Sequence, residues 1–138
     1  MTEGHDRIRQ VLLEGPPLQL AILFGSRARR SARPDSDIDI AILPVEPELS
    51  LRDEGLLVAN LERAAGASVD LVRLDRAAPA LRWRIARDGV VLLSSPSHVA
   101  PRFLARAGIE HDELRDLEID AMRRYRARLA AEAPDVTR

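Results

Sequence analysis

The chain has no cysteine and no lysine, and its only aromatic residues are Phe24, Trp83, Phe103 and Tyr125. Without cysteine there are no disulfides and no thiolate metal sites, so any bound metal must use oxygen or nitrogen ligands. Few aromatic rings leave little on which to stack the bases of single-stranded nucleic acid. Neither sign of charge dominates, with 21 basic against 22 acidic residues, so no global field draws the protein to nucleic acid or to an acidic membrane. There is also no long apolar run: the first ten residues, MTEGHDRIRQ, are polar, which predicts neither a signal peptide nor a membrane span and favours the cytoplasm. What is present is 46% hydrophobic residues in 138, enough for the core of one domain over residues 1–138.

Helices and strands alternate in the pattern of an α/β or α+β fold with a mixed sheet of about four strands. Ile8, Val11 and Leu12 recur at helical spacing over residues 6–13, and Gly15 with two prolines closes that helix. The apolar run LQLAILF at 18–24 reads as a strand buried on both faces and leads into Gly25-Ser26. A short helix over 26–31 and a loop over 32–36 are expected next, then a strand from Asp37 that puts Asp37, Asp39, Ala41 and Leu43 on one face and the isoleucines on the other. Ser50 is placed to cap a helix that ends at Gly66, with Leu51, Val58, Leu61 and Ala65 inward. A strand over 69–74 follows, then a helix capped by Asp75 and a strand over 90–93. The catalytic core is thus expected over about 6–93. A helical C-terminal segment at about 97–131 divides into helices at 99–107 and 112–131, and the stripe Leu114, Leu117, Ala121, Tyr125 and Leu129 is assigned mostly to core packing against the sheet.

The chemistry concentrates at residues 25–39. At a strand-to-helix junction, backbone N–H groups stand unpaired and can grip a phosphate, and glycine permits a close approach. Ser26 adds a hydroxyl donor, and Arg27 and Arg29 bring positive charge to where a triphosphate would lie. Asp37 and Asp39 then sit side by side on one strand face, and Asp70, on the next strand, shares a face with Val72 and Leu74. Neighbouring carboxylates repel, and a divalent cation is the natural compensation. Mg²⁺ takes oxygen ligands together with substrate phosphates. A turn and a charged face would explain each piece alone. The joint pattern favours a site. His5, His98 and His111 lack ligand spacing and are read as surface or capping residues, Trp83 as core or groove lining, and Tyr125 as a helix-packing aromatic.

LFGSRARRSARPDSDIDIAIL, residues 23–43, resembles the signature of the polymerase-beta-like nucleotidyltransferase superfamily, and the layout of the chain is similar to its minimal nucleotidyltransferase (MNT) members. That resemblance implies that Gly25 and Ser26 hold the nucleotide phosphates, that Asp37 and Asp39 ligate two Mg²⁺ ions, and that Asp70 ligates the catalytic one and assists deprotonation of the acceptor. It further implies an antitoxin that transfers AMP from ATP to a tyrosine of a cognate HEPN-domain toxin, an RNase. Two other readings stand beside it: an aminoglycoside-type small-molecule nucleotidyltransferase, which the short helical tail disfavours, and an antitoxin that neutralises by binding alone.

Overall fold

The computed structural model describes residues 3–28 and 36–132. Its elements run α1 (Glu3–Glu14), β1 (Leu18–Phe24), β2 (Ile38–Pro44), α2 (Leu51–Ala65), β3 (Val69–Arg73), α3 (Pro79–Asp88), β4 (Val90–Ser94) and α4 (Val99–Glu132). The strands form one mixed sheet in the order β3-β2-β1-β4. β1 runs antiparallel to β2 and β4, and β2 pairs parallel with β3 through the α2 crossover.

Side-chain alternation explains why helices cover both faces. On one side Ala21, Leu23, Ile38, Ile40, Ile42 and Val69 meet Ile8 and Leu12 of α1 and Leu57 and Leu61 of α2. On the other, Leu20, Ile22, Ala41 and Leu74 meet Ile85 of α3 and Ala100 of α4. β1 is central and occupies the residues expected for it, because strands apolar on both faces are those covered on both. Asp39 and Asp70 therefore belong to the α3/α4 side of the sheet.

The α2 ends follow local rules. The Ser50 hydroxyl accepts from the Asp53 N–H at 3.1 Å, and Gly66, with φ of 67°, returns its N–H to the Glu62 carbonyl. The inward side of α2 is the expected one at Val58, Leu61 and Ala65, which belong to or pack against the core. Leu57 is buried, while Leu51, in the first turn and ahead of the sheet, is 82% exposed. β2 begins one residue later than expected, at Ile38, so Asp37 precedes the ladder. Residues 26–28 form a turn where a helix was expected; the rest of that expected helix, and residues 32–35 of the expected loop, lie outside the described residues.

Asp75 does not cap α3. Ala78 is the N-cap, without a side-chain hydrogen bond, and Pro79 opens the helix with a preset φ and no N–H to satisfy. The Asp75 carboxylate is instead taken by Arg73.

The C-terminal segment is one helix of 34 residues rather than two. Gly108, which looks like a break, packs against Trp83: a Cβ there would lie 3.7 Å from the Trp83 ring. Trp83 in turn stacks on His111, with ring centroids 4.5 Å apart and planes 12° from parallel, and Arg82 pairs with Glu110. These contacts are the outermost ties of α4. A helix of 34 residues is about 50 Å long, whereas a five- to seven-residue strand spans about 16 to 23 Å, so α4 outruns the sheet. The stripe assigned to the core is accordingly in solvent, with Leu117 61% and Tyr125 55% exposed.

Candidate active site

The site residues gather where β1 ends and β2 and β3 begin. Gly25 follows Phe24 directly and has a φ of 75°, a left-handed conformation that side chains disfavour. Asp39 pairs in register with Phe24 on one side and with Asp70 on the other. The carboxylate of Asp39 is folded onto the glycine: a Cβ added to Gly25 would lie 2.1 Å from Asp39 Oδ2 and 3.1 Å from its Cγ. Glycine is thus required twice, by conformation and by contact. The phosphate-type turn and the central carboxylate form a single structural unit, although 12 residues separate Ser26 from Asp39.

Asp39 is half-buried, while Asp37 and Asp70 are exposed. Asp37 lies in the extended approach to β2, and the following N–H, of Ile38, donates to the Ser68 carbonyl at 2.8 Å, which fixes the approach beside the loop that leads into β3. Asp70, next to Asp39 across a parallel ladder, is the residue that Asp39 meets on the same face. The three carboxylates share one end of the sheet. As placed they do not close into a cage: among the described residues no group of three histidine, aspartate or glutamate side chains is gathered closely enough to hold a metal by itself. The arrangement matches the donor chemistry of Mg²⁺, which takes one or two carboxylates and completes its shell with water and phosphate oxygens.

Arg27 is placed differently from expectation. Its guanidinium donates to the Ser36 carbonyl at 2.9 Å, so it clasps the two ends of the connection between β1 and β2. It also lines a groove of about 400 Å³ with His5, Ile8, Leu23, Ile38 and Ala65, on the α1/α2 side and away from the face of the carboxylates. Arg29 lies outside the described residues. Ser26, half-buried in the turn, stays beside Gly25.

Sequence reasoning missed the strongest electrostatic feature, at the opposite end of β3. Arg73 is buried and bonds Asp75 at 2.6 and 2.9 Å, Glu54 of α2 at 2.9 Å and the Pro47 carbonyl at 3.0 Å. The hydrogen bonds to Asp75 raise the Arg73 pKa further above its ordinary value, and those from Arg73 hold the Asp75 carboxyl below its own. A charged residue closing the apolar pair Leu71-Val72 at the end of β3 was the available signal.

Comparison with known proteins decides the family. The Polymerase beta, Nucleotidyltransferase family matches residues 6–98. The chain belongs to this family. It is 25% identical to the protein adenylyltransferase MntA of Aphanizomenon flos-aquae (strain 2012/KM1/D3), over 79% of each chain. Among solved structures it is similar to a chain of a toxin-antitoxin crystallised with AMP-PNP, with a TM-score of 0.71, 29% identity, and coverage of 86% of this chain and 97% of that one. A chain of the tri-AMPylated Shewanella oneidensis HEPN toxin in complex with MNT antitoxin is also similar, with a TM-score of 0.59 and 27% identity over 86% of this chain and 96% of that one. The expected fold is therefore the observed one. Among the described residues no helix is long and apolar enough to cross a membrane.

Proposed function

We propose that this nucleotidyltransferase is the antitoxin of a toxin-antitoxin pair and transfers AMP from ATP to a tyrosine hydroxyl of a cognate HEPN-domain RNase toxin in the cytoplasm. The observation that carries the reading is the contact of Gly25 with Asp39 beside Asp70, which joins a phosphate-gripping turn to adjacent carboxylates. The relatives support the choice of nucleotide and partner: one is named a protein adenylyltransferase, and the similar structures hold AMP-PNP or an AMPylated HEPN toxin.

In this reading the backbone N–H groups around Gly25 and the Ser26 hydroxyl hold the phosphates. The acceptor oxygen attacks the α-phosphorus, the bond to the β-phosphate oxygen breaks, and pyrophosphate leaves. Asp70, exposed at the start of β3, takes the proton of the acceptor hydroxyl. Asp37, Asp39 and Asp70 would hold two Mg²⁺ ions, whose chemistry is neutralisation of the phosphate charge. Arg27 contributes by tying the turn after Gly25 to the Ser36 carbonyl ahead of β2.

The test is incubation of the purified chain with ATP labelled at the α-phosphate, Mg²⁺ and the protein encoded beside it, followed by intact-mass analysis. An AMP adduct on the neighbour, absent with Asp37→Ala or Asp70→Ala, is expected. A complex that forms and neutralises without any adduct would replace this reading with an antitoxin that acts by binding. Pyrophosphate release stimulated by an aminoglycoside alone would replace it with a small-molecule enzyme.

A further inference from the structure

Beyond His111 every residue of α4 from 112 to 132 is exposed, a free arm of 21 residues, or about 30 Å of helix. An isolated helix of that length is marginal in water, and helices in proteins owe most of their stability to a packed apolar face. This arm has such a face, and among the described residues nothing covers it: Leu114, Leu117, Ala121, Tyr125 and Leu129 follow one another at steps of three and four residues, all exposed.

The charges on the arm fall into two blocks. From 112 to 120 there are five acidic residues and one arginine; from 121 to 129 the four charged residues are all arginines. The helix dipole does not account for this, because its influence is confined to the terminal turns, and the acidic block lies more than three turns inside α4, which begins at Val99. Ion pairing within the protein does not account for it either: among the described residues no ion pair involves a residue beyond Glu110.

We infer that the outer half of α4 pairs antiparallel with the same segment of a second copy of this chain. Laid antiparallel about Ala121, the acidic block of one copy meets the arginine block of the other at both ends, whereas a parallel pairing would set like charges together. The side chains agree along one border of the stripe, whereas the other brings Arg115 towards Arg126. One border of the apolar stripe carries Glu113, Asp120, Arg124 and Arg128 in helical succession. In an antiparallel pair each border meets its own reversed copy, which brings Glu113 towards Arg128 and Asp120 towards Arg124. Leu117 and Tyr125, each four residues from Ala121, face one another, and the small side chain of Ala121 permits close approach at the two-fold axis.

The readout is mass, so the inference stands or falls independently of adenylyl transfer. Sedimentation of the full chain should show a dimer, and Leu117→Asp should weaken it by roughly tenfold or more, as removal of a central apolar anchor does. Arg128→Glu alone should weaken it as well, because it opposes Glu113 twice in a symmetric pair, and Glu113→Arg added to it should restore the dimer. Since the chain has no cysteine, Ala121→Cys gives a single reporter: mild oxidation should yield a covalent dimer on a non-reducing gel. A monomer at every concentration, a dimer indifferent to Leu117→Asp, or a double charge exchange that fails to rescue would each overturn the inference. A monomer that binds the toxin through this stripe would give the surface to the toxin instead.

Discussion

The two ends of β3 handle charge in opposite ways. At its C-terminal end Arg73 is buried, and every charge has a partner of opposite sign within 3 Å. At its N-terminal end Asp70 stands beside Asp39, with Asp37 on the adjoining approach, and the charges are alike. The first arrangement contributes to folding, because an unpaired buried guanidinium would be costly. In the second, two carboxylates stand opposite one another on adjacent strands, a pairing that works against a sheet. In the proposed function this is the end that binds a cation and a polyphosphate. The contrast sets a structural ion cluster against the proposed functional one.

That comparison can be broken most forcefully at Arg73. Arg73→Ala leaves Glu54 and Asp75 facing each other, only 19% and 29% exposed, and should destabilise the protein by about 2 to 3 kcal/mol, somewhat below the cost of breaking a fully buried pair. Denaturant unfolding monitored by circular dichroism measures it, and an unchanged midpoint would show that the cluster is dispensable. Next in size is Gly25→Ala. The added Cβ meets Asp39 and adopts an unfavourable φ, which costs about 1 to 2 kcal/mol. Nucleotide binding should fall by far more than that loss of stability explains, as titration calorimetry with a non-hydrolysable ATP analogue would show.

The smallest effect concerns acid. Arg73 holds the Asp75 carboxyl below its ordinary 3.8, so its contribution to stability is complete above that value and disappears as pH falls through the lower folded value. Wild type should therefore lose stability more steeply below pH 3.8 than Asp75→Asn does. Parallel acid limbs in thermal melts of the two proteins would remove Asp75 from the account.

Much of this was legible in the sequence where the causes are local. The bounds of β1, the Ser50 and Gly66 caps of α2, and the division of β2 into an aspartate face and an isoleucine face all depend on neighbours within a few residues. The carboxylates and the Gly25-Ser26 turn were legible as chemistry, but their juxtaposition was not. Only the ladders reveal that Asp39 rests on Gly25 and faces Asp70. The Arg73 cluster escaped because its partners Glu54 and Pro47 are 19 and 26 residues away in sequence, and Asp75 was misread as a cap for the same reason. The α4 stripe shows the limit of periodicity, which establishes that a face is apolar and does not say what covers it. Tyr125 was assigned to packing on that pattern, and the sheet it was to pack against ends well before it.

The central claim is that the carboxylate end of β3 serves chemistry at the expense of stability, and Asp70→Asn tests it most directly when the melting temperature and AMP transfer are measured on the same sample. The account predicts a melting temperature equal to or above that of wild type, since a repelling charge is removed from beside Asp39, together with loss of transfer by at least about a thousandfold. A clear drop in melting temperature with transfer retained would mean that Asp70 is a structural residue, and would contradict the account.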